Sequence, residues 1–162
     1  MSPLAFVDID GVVADVRHRL VHVEQRPKDW EAFFRAADRD PVHEEGVALV
    51  ARLAEDHEVV FLTGRPSRLR RPTERWLERQ GLGGHRLLMR PADDRRPARV
   101  IKLELLRREA RGRVVGAVVD DDEQVVATMR QAGYPTVQAT WEARAAEDDR
   151  ALLEAQESEG RT

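Results

Sequence analysis

The chain has 162 residues and a net charge of −3, and 41% of its residues are apolar. This length fits one domain, which can bury a sizeable core without disulfide bonds. The sequence contains no cysteine, which excludes a disulfide framework, a cysteine-ligated zinc site and a thiol nucleophile. It shows neither a signal peptide nor the roughly 20 consecutive apolar residues that span a bilayer, so we expect a soluble, cytoplasmic protein without membrane contact.

Five short apolar runs predict buried strands. They alternate with segments whose apolar residues recur every three or four positions, a spacing that is typical of helices. This alternation predicts an α/β fold with a parallel sheet and right-handed crossovers. The runs are Leu4–Ile9, His57–Leu62, Arg86–Met89, Val114–Val119 and Thr136–Ala139.

Two segments fall outside this alternation. About 35 residues separate Gly11 from Gly46, which leaves room for a small lid over residues 12–45 but not for a separate domain. We expect a helical piece near Lys28–Ala37, where three aromatic residues either pack the lid or form a platform for base stacking. The C-terminal residues 143–162 are charged and poor in large apolar side chains, so they are predicted to be a frayed helix or disordered.

Basic charge is distributed unevenly along the chain. Residues 65–113 hold 15 Arg, one Lys and six acidic residues, a local net charge of +10. Such a segment favours an anionic partner, although Arg-rich helix faces would produce the same pattern. Arg supplies 25 of the 27 basic residues, so a retained Lys indicates a position that needs a compact point charge. Lys102 is therefore a candidate functional residue.

Acidic and hydroxyl side chains lie at the ends of the predicted strands. Asp8 and Asp10 end the first strand, Thr63 follows the second, and residues 120–122 follow the fourth. Because the carboxyl ends of parallel strands share one edge of a sheet, these side chains should converge. Clustered carboxylates repel one another unless a cation or proton intervenes, and an oxygen-only ligand set favours Mg²⁺.

This combination of residues suits phosphoryl transfer. One carboxylate can attack phosphorus, and a second can protonate the leaving oxygen and then activate water. Mg²⁺ and Lys102 can offset the charge on the phosphoryl oxygens. The sequence therefore predicts a phosphorylated substrate.

The same residues resemble the four motifs of the haloacid dehalogenase-like (HAD) phosphatases. Asp8-Ile9-Asp10-Gly11-Val12-Val13-Ala14-Asp15 is similar to the first motif, Thr63 to the second, Lys102 to the third and Asp120-Asp121 to the fourth. The resemblance covers residues 4–141 and implies a Rossmann-like three-layer sandwich with a parallel sheet, a central first strand and a minimal cap. It implies a HAD-like phosphatase domain over residues 1–142, followed by a charged tail.

The resemblance also implies a role for each motif residue. Asp8 would be the nucleophile, and Asp10 would be the general acid and base. Thr63 and Lys102 would bind the transferring phosphoryl group. The Mg²⁺ ligands would be Asp8, the backbone carbonyl of Asp10, and either Asp120 or Asp121.

A closer resemblance is to the 3′-phosphatase domain of phage polynucleotide kinase. It rests on Thr63-Gly64-Arg65, on Arg95-Arg96 ahead of the third motif, and on residues 73–77 and 119–126. It implies that Gly64, Arg65 and Arg96 bind substrate, and that the substrate is a 3′-phosphorylated nucleic-acid end. Asp122 stands where that family commonly has Arg, and we interpret it as a helix N-cap.

Other functions remain open from the sequence alone. One alternative is a small-molecule phosphatase such as a nucleotidase, and another is a non-catalytic HAD-like binding domain or a receiver-like domain that only accepts phosphate. Asp10 disfavours the receiver-like domain, because a second acid promotes hydrolysis of the phosphorylated state.

For the nucleic-acid substrate we expect backbone phosphates to contact a set of arginines near the ends of the second and third strands. These are Arg65, Arg68, Arg70, Arg71, Arg95 and Arg96.

Overall fold

A sheet of five strands forms the middle layer of the structure, a computed structural model that describes residues 1–158. All four strand pairs are parallel, and the order is β3-β2-β1-β4-β5, so the first strand is central as predicted. The strands are β1 Leu4–Val7, β2 Glu58–Pro66, β3 Arg86–Arg90, β4 Val115–Asp120 and β5 Thr136–Gln138.

Seven α-helices lie within the described residues, together with short 3-10 turns at Arg17–Arg19, Ala36–Arg39 and Ser67–Leu69. None of these helices combines the length and apolar composition that crossing a membrane requires. The helices are α1 Val21–Glu24, α2 Trp30–Arg35, α3 Glu44–Leu53, α4 Arg70–Arg79, α5 Ala98–Glu109, α6 Glu123–Gln131 and α7 Trp141–Ser158.

The helices cover both faces of the sheet and complete the predicted three layers. Val50 of α3 and Trp76 of α4 belong to the core on one face. Leu106 of α5 and Met129 of α6 belong to the core on the other face. All four side chains are at most 2% exposed.

The central strand supplies alternate side chains to the two cores. Ala5 and Val7 pack with α3 and α4, whereas Leu4 and Phe6 pack with α5 and α6. Because both faces of β1 are buried, its sequence is an unbroken apolar run instead of an apolar–polar alternation. The prediction of burial on both faces is wrong for β5, a three-residue edge strand in which Val137 is 52% exposed.

The second strand runs further than the sequence predicts. β2 continues to Pro66, and its pairing with β3 shifts register between Thr63 and Pro66. The Thr63-Gly64-Arg65 segment therefore leaves the regular ladder at the carboxyl edge of the sheet. This irregularity frees the backbone of the segment from strand pairing.

Of the two forms expected for the C-terminal segment, the structure shows the helix. Residues 143–158 belong to α7, whereas residues 159–162 of the predicted tail lie outside the described residues. The Trp141 indole N–H donates to the Val12 carbonyl at 2.8 Å, and the Glu142 carboxylate accepts from the Val16 backbone N–H at 2.8 Å. The start of α7 is thus fixed to the segment after β1. The division into a phosphatase domain and a tail stays a prediction.

Candidate active site

Three carboxylates lie close together at the carboxyl ends of the neighbouring strands β1 and β4. Asp8 follows β1, and its backbone N–H donates to the Val119 carbonyl of β4 at 2.9 Å. Asp120 ends β4, and Asp121 follows it. Asp8, Asp120 and Asp121 each offer an oxygen, and these oxygens all lie within 4.8 Å of one another. This edge is where the strand order reverses around β1, the usual ligand position in such sheets.

The Lys102 ammonium bridges two of these carboxylates. Its Nζ lies 3.1 Å from Asp8 Oδ1 and 2.6 Å from Asp120 Oδ2, and only 5% of the side chain is exposed. Burial disfavours the charged amine, but Asp8 and Asp120 outweigh this effect and raise the pKa of Lys102. The amine therefore stays charged inside the site.

One ammonium does not neutralise three carboxylates. Burial, followed by repulsion from Asp120, raises the pKa of Asp8 well above its usual range. The same two causes raise the pKa of Asp121 to about 7. A cation among these oxygens would remove the repulsion, and all three donors are hard oxygen ligands. The residues present therefore fit Mg²⁺.

The backbone after β1 fixes the Asp8 carboxylate. Asp8 Oδ1 accepts from the Ile9 backbone N–H at 2.8 Å in addition to its contact with Lys102. Gly11 has φ +81°, and a Cβ there would lie 2.0 Å from Asp121 Oδ2. Only glycine allows the loop to turn this tightly while Asp121 approaches it.

Asp10 faces a different partner set from Asp8. Its Oδ1 accepts from Arg65 Nη2 at 2.6 Å and from Arg19 Nη2 at 2.9 Å. Burial opposes ionisation, but Arg65 and then Arg19 outweigh it and hold the pKa of Asp10 below its usual range. The Asp10 side chain is 28% exposed, which makes it accessible to a substrate.

Arg65 is placed beneath the site and not on its surface. It is 3% exposed, and its guanidinium also donates to Thr73 Oγ1 at 3.2 Å and to Asp40 Oδ2 at 3.4 Å. Its backbone N–H donates to the buried Thr63 Oγ1 at 3.1 Å. The guanidinium thus holds Asp10, while the predicted contact of Arg65 with substrate phosphate stays a prediction.

Gly64 and Arg96 differ in their relation to the site. The Gly64 carbonyl accepts from Arg90 Nε at 3.0 Å, which ties this turn to the end of β3. Arg96 is exposed and binds Asp94 and Glu104, each at 2.8 Å. Neither of these partners belongs to the carboxylate cluster, so the structure does not bring the Arg96 side chain to it.

The sequence did not predict that Arg19 and Asp40 form a buried ion pair beneath Asp10. Arg19 is fully buried, with Nε and Nη2 each 2.8 Å from the buried Asp40 carboxylate. Its guanidinium also lies 4.3 Å from the centroid of the Phe33 ring. Nothing in the sequence distinguishes Arg19 from the other 24 arginines, because its contacts with Asp10 and Asp40 span 9 and 21 residues and depend on the folded loop.

Asp122 is confirmed as the N-cap of α6, since its carboxylate accepts from the Gln124 N–H.

The parallel five-stranded sheet with helices on both faces is the fold of HAD-like hydrolases. A haloacid dehalogenase-like hydrolase from Streptococcus pneumoniae superposes with a TM-score of 0.60 over 85% of this chain and 84% of its own, at 8% identity. A HAD hydrolase from Bacillus subtilis, solved with magnesium bound, has a TM-score of 0.59 over 86% and 89% of the two chains, at 10% identity. At these identities the likeness shows the fold alone.

The sequence defines the family. The profile of the polynucleotide kinase PNKP phosphatase domain matches residues 3–143, so the chain belongs to this family and is a HAD-type phosphatase. A polynucleotide kinase/RNA ligase described as putative and bifunctional, from Autographa californica nuclear polyhedrosis virus, is 31% identical over 134 residues. That match covers 80% of this chain and 18% of the viral protein.

Two solved structures are also similar, both of a Pnkp1/Rnl/Hen1 complex. One, described as an RNA repair complex, gives a TM-score of 0.68 at 28% identity, over 85% of this chain and 42% of the other. The second gives 0.67 at 31% identity, over 85% and 45%. This chain therefore spans less than half the length of these relatives.

Proposed function

We propose that this chain removes the phosphate from 3′-phosphorylated nucleic-acid ends through an aspartyl phosphate on Asp8, with Mg²⁺ as its cofactor. The proposal rests on the Asp8 carboxylate, which the Ile9 N–H and Lys102 orient beside Asp120 and Asp121. The membership of the PNKP phosphatase family supports the 3′-phosphate as the group removed. The similarity to a chain of an RNA repair complex supports nucleic acid as the substrate.

In the first step a carboxylate oxygen of Asp8 attacks phosphorus. The Asp8–phosphorus bond forms, and the bond from phosphorus to the 3′-oxygen breaks. Asp10 gives its proton to the leaving 3′-oxygen. Arginines hold Asp10 ionised in the resting protein, but a phosphate dianion beside it raises its pKa by like-charge repulsion. Substrate binding thus favours the protonated form that this step needs.

In the second step Asp10 is ionised and takes a proton from water. The water oxygen attacks phosphorus, the Asp8–phosphorus bond breaks, and inorganic phosphate leaves. The arginines beneath Asp10 favour its ionised form here. Lys102 and Thr63 would bind the phosphoryl oxygens in both steps.

Mg²⁺ would be held by Asp8, the backbone carbonyl of Asp10, and Asp120 or Asp121. When bound, it would offset the negative charge of the phosphoryl oxygens and of the carboxylates. Among the described residues, the alternative cluster of Asp15, His43 and Glu142 includes none of the residues to which the resemblance assigns a catalytic, phosphoryl-binding or metal-binding role. We therefore assign the cofactor to the cluster around Asp8.

The test is hydrolysis of a six-nucleotide strand that carries a 3′-phosphate, with and without Mg²⁺. We expect phosphate release only with Mg²⁺, and a phosphoprotein that survives acid and is cleaved by hydroxylamine, as an acyl phosphate is. Asp8→Asn keeps the side-chain shape, so this variant should fold, form no phosphoprotein and release no phosphate. Activity of Asp8→Asn near that of the wild type would refute the mechanism.

A second substrate separates the two phosphatase functions. Glycerol phosphate offers a phosphomonoester without a base or further phosphates. If kcat/KM for glycerol phosphate equals that for the oligonucleotide, the substrate is a small molecule and the nucleic-acid proposal is wrong. The aspartyl phosphate mechanism would stand in that case.

A further inference from the structure

An aromatic side chain is exposed on the lid beside the site. Trp30 is 51% exposed, although its ring stacks on Phe34 with 6.0 Å between centroids and 29° between planes. Phe33, by contrast, is buried, and contacts Trp30 edge-on at 5.7 Å. Packing of the lid thus explains Phe33 but leaves about half of Trp30 in solvent.

The position of Trp30 is fixed. It is the first residue of α2, whose N-cap Asp29 accepts from the Ala32 N–H at 3.0 Å. The neighbouring Phe33 ring lies under Arg19, and Arg19 binds Asp10. A short series of contacts therefore joins the exposed ring to the acid of the active site.

A cleft of about 520 Å³ lies between Trp30 and the second motif. Its lining includes Trp30 and Phe34 from the lid and Gly64 from the segment after Thr63. Since Thr63 would bind the transferring phosphoryl group, a strand whose end lies at Asp8 can continue into this cleft.

The cleft carries positive charge that the protein does not neutralise. Arg95 is exposed and has no ion-pair or hydrogen-bond partner among the described residues. Arg68 is exposed, and its guanidinium lies 5.7 Å from the Phe34 ring centroid without an ion pair to a described residue. The acidic residue in the lining, Asp94, is paired with Arg96.

A flat aromatic surface beside unpaired cations is the usual means of binding a single strand. Bases stack on the ring, and arginines contact the phosphates between nucleotides. We propose that this cleft binds the strand that leads to the 3′-phosphate, with a base stacked on Trp30 and backbone phosphates on Arg68 and Arg95. This inference rests on the proposed function and assigns a further substrate-binding site to it.

The first experiment compares two substrates in variants of the cleft. Trp30→Ala should raise the KM for the 3′-phosphorylated hexanucleotide about tenfold or more, within the range that base stacking provides. It should leave the kcat/KM for glycerol phosphate within about twofold, because that substrate has no base. Trp30→Phe should restore most of the affinity. Arg107→Ala, which removes an exposed arginine from a different cleft on α5, is the matched control.

The second experiment measures binding without turnover. In an Asp8→Asn background, the hexanucleotide should quench tryptophan fluorescence in a saturable way. Trp76 is buried and Trp141 donates to the Val12 carbonyl, so Trp30→Phe should remove the quenching. Melting temperatures of all variants within a few degrees of wild type would exclude misfolding.

The outcomes separate this inference from the proposed function. If the oligonucleotide is hydrolysed but Trp30→Ala leaves its KM unchanged, the cleft assignment is wrong and the function stands. An equal loss on both substrates would also overturn the assignment. If no substrate is hydrolysed, the proposed function fails. The fluorescence titration still decides whether the cleft binds a strand. Quenching that depends on Trp30 supports strand binding by the cleft, and the absence of such quenching refutes it.

Discussion

Asp8 and Asp10 are two residues apart, but their surroundings shift their pKa values in opposite directions. Burial and the neighbouring Asp120 raise the pKa of Asp8, whereas Arg65 and Arg19 lower that of Asp10. These directions are opposite to those that attack by Asp8 and proton donation by Asp10 need, so a cation beside Asp8 and a substrate phosphate beside Asp10 would have to reverse them. The two side chains also contact different groups, so each can be altered separately.

The Lys102 position should not tolerate arginine. Its Nζ fits between Asp8 and Asp120 at 3.1 and 2.6 Å in a buried site, where a planar guanidinium needs more room. We expect Lys102→Arg to lower kcat for glycerol phosphate more than tenfold, a loss of over about 1.4 kcal/mol in transition-state stabilisation. Lys28→Arg, at the other lysine, is exposed and should have no effect on this substrate. A Lys102→Arg rate above a tenth of wild type would contradict the argument.

The metal-free protein should lose stability as the pH rises from 6 to 8. Unfolded aspartate has a pKa near 3.9 and stays ionised in this window. Folded Asp121, with its pKa raised to about 7, gives up its proton over the same window. The folded state thus binds more protons than the unfolded state in this window, so the free energy of unfolding falls by about 1 kcal/mol between pH 6 and 8. The melting temperature in EDTA should fall by about 2–4 °C.

Two comparisons test this cause. Mg²⁺ should raise the melting temperature more at pH 8 than at pH 6, because it offsets a repulsion that is greater when Asp121 is ionised. Asp121→Asn in EDTA should show a smaller fall with pH than wild type. An equal fall in both proteins would assign the pH dependence to other groups.

The sequence predicted the residues of the site whose placement follows from the sheet. Asp8 and Asp120 end neighbouring strands, so parallel topology alone brings them together. Arg19 and Asp40 could not be predicted, because they meet only through the fold of the lid. The sequence showed Arg65 next to Thr63 but not that its side chain turns inward to Asp10.

At the scale of elements, the lid is held from outside by α7. The Glu142 carboxylate accepts from the Val16 N–H at 2.8 Å and lies 3.1 Å from His43 Nε2. The Trp141 indole donates to the Val12 carbonyl beside it. Val12 and Val16 lie at the start of the lid, directly after Asp8 and Asp10, so α7 supports the loop that follows these two acids.

Removing this contact should destabilise the protein. Glu142→Ala leaves the buried Val16 N–H without its acceptor, which costs about 1–3 kcal/mol. The melting temperature should then fall by at least about 2–4 °C. Glu147→Ala, an exposed residue on the same helix, is the control and should change it little. Equal melting temperatures for the two variants would show that α7 does not support the lid.

The helices and strands differ in how well their sequence predicts them. β1 and β4 were predicted within about two residues, because their apolar runs reflect burial inside the sheet. For α7 the sequence left a frayed helix and disorder open, since its residues are charged and its stabilising contacts reach Val12 and Val16, more than 120 residues away. Such long-range contacts leave no local pattern.

At the scale of the whole molecule, the excess of arginine is divided among different tasks. Arg65 is buried under Asp10, Arg96 is paired with Asp94 and Glu104, and Arg70 is paired with Glu74. The net charge of +10 over residues 65–113 therefore overstates the number of cations that are free to bind substrate. In the cleft beside the site, Arg90 donates to backbone carbonyls, whereas Arg68 and Arg95 have neither an ion pair nor a hydrogen bond to a described residue.

This division predicts how hydrolysis depends on salt. A strand that contacts Arg68 and Arg95 releases counterions on binding, so kcat/KM for the 3′-phosphorylated hexanucleotide should fall with salt, with a log–log slope of roughly −0.7 per phosphate contacted. Replacing both arginines by Ala should reduce the slope by about 1.4. Arg107→Ala, an exposed arginine of α5 outside the cleft, is the control and should leave it unchanged. A 3′-mononucleotide has no further phosphates and should show a much flatter slope. Equal slopes for the oligonucleotide and the mononucleotide would mean that the substrate is a small molecule and that the remaining arginines are general surface charge.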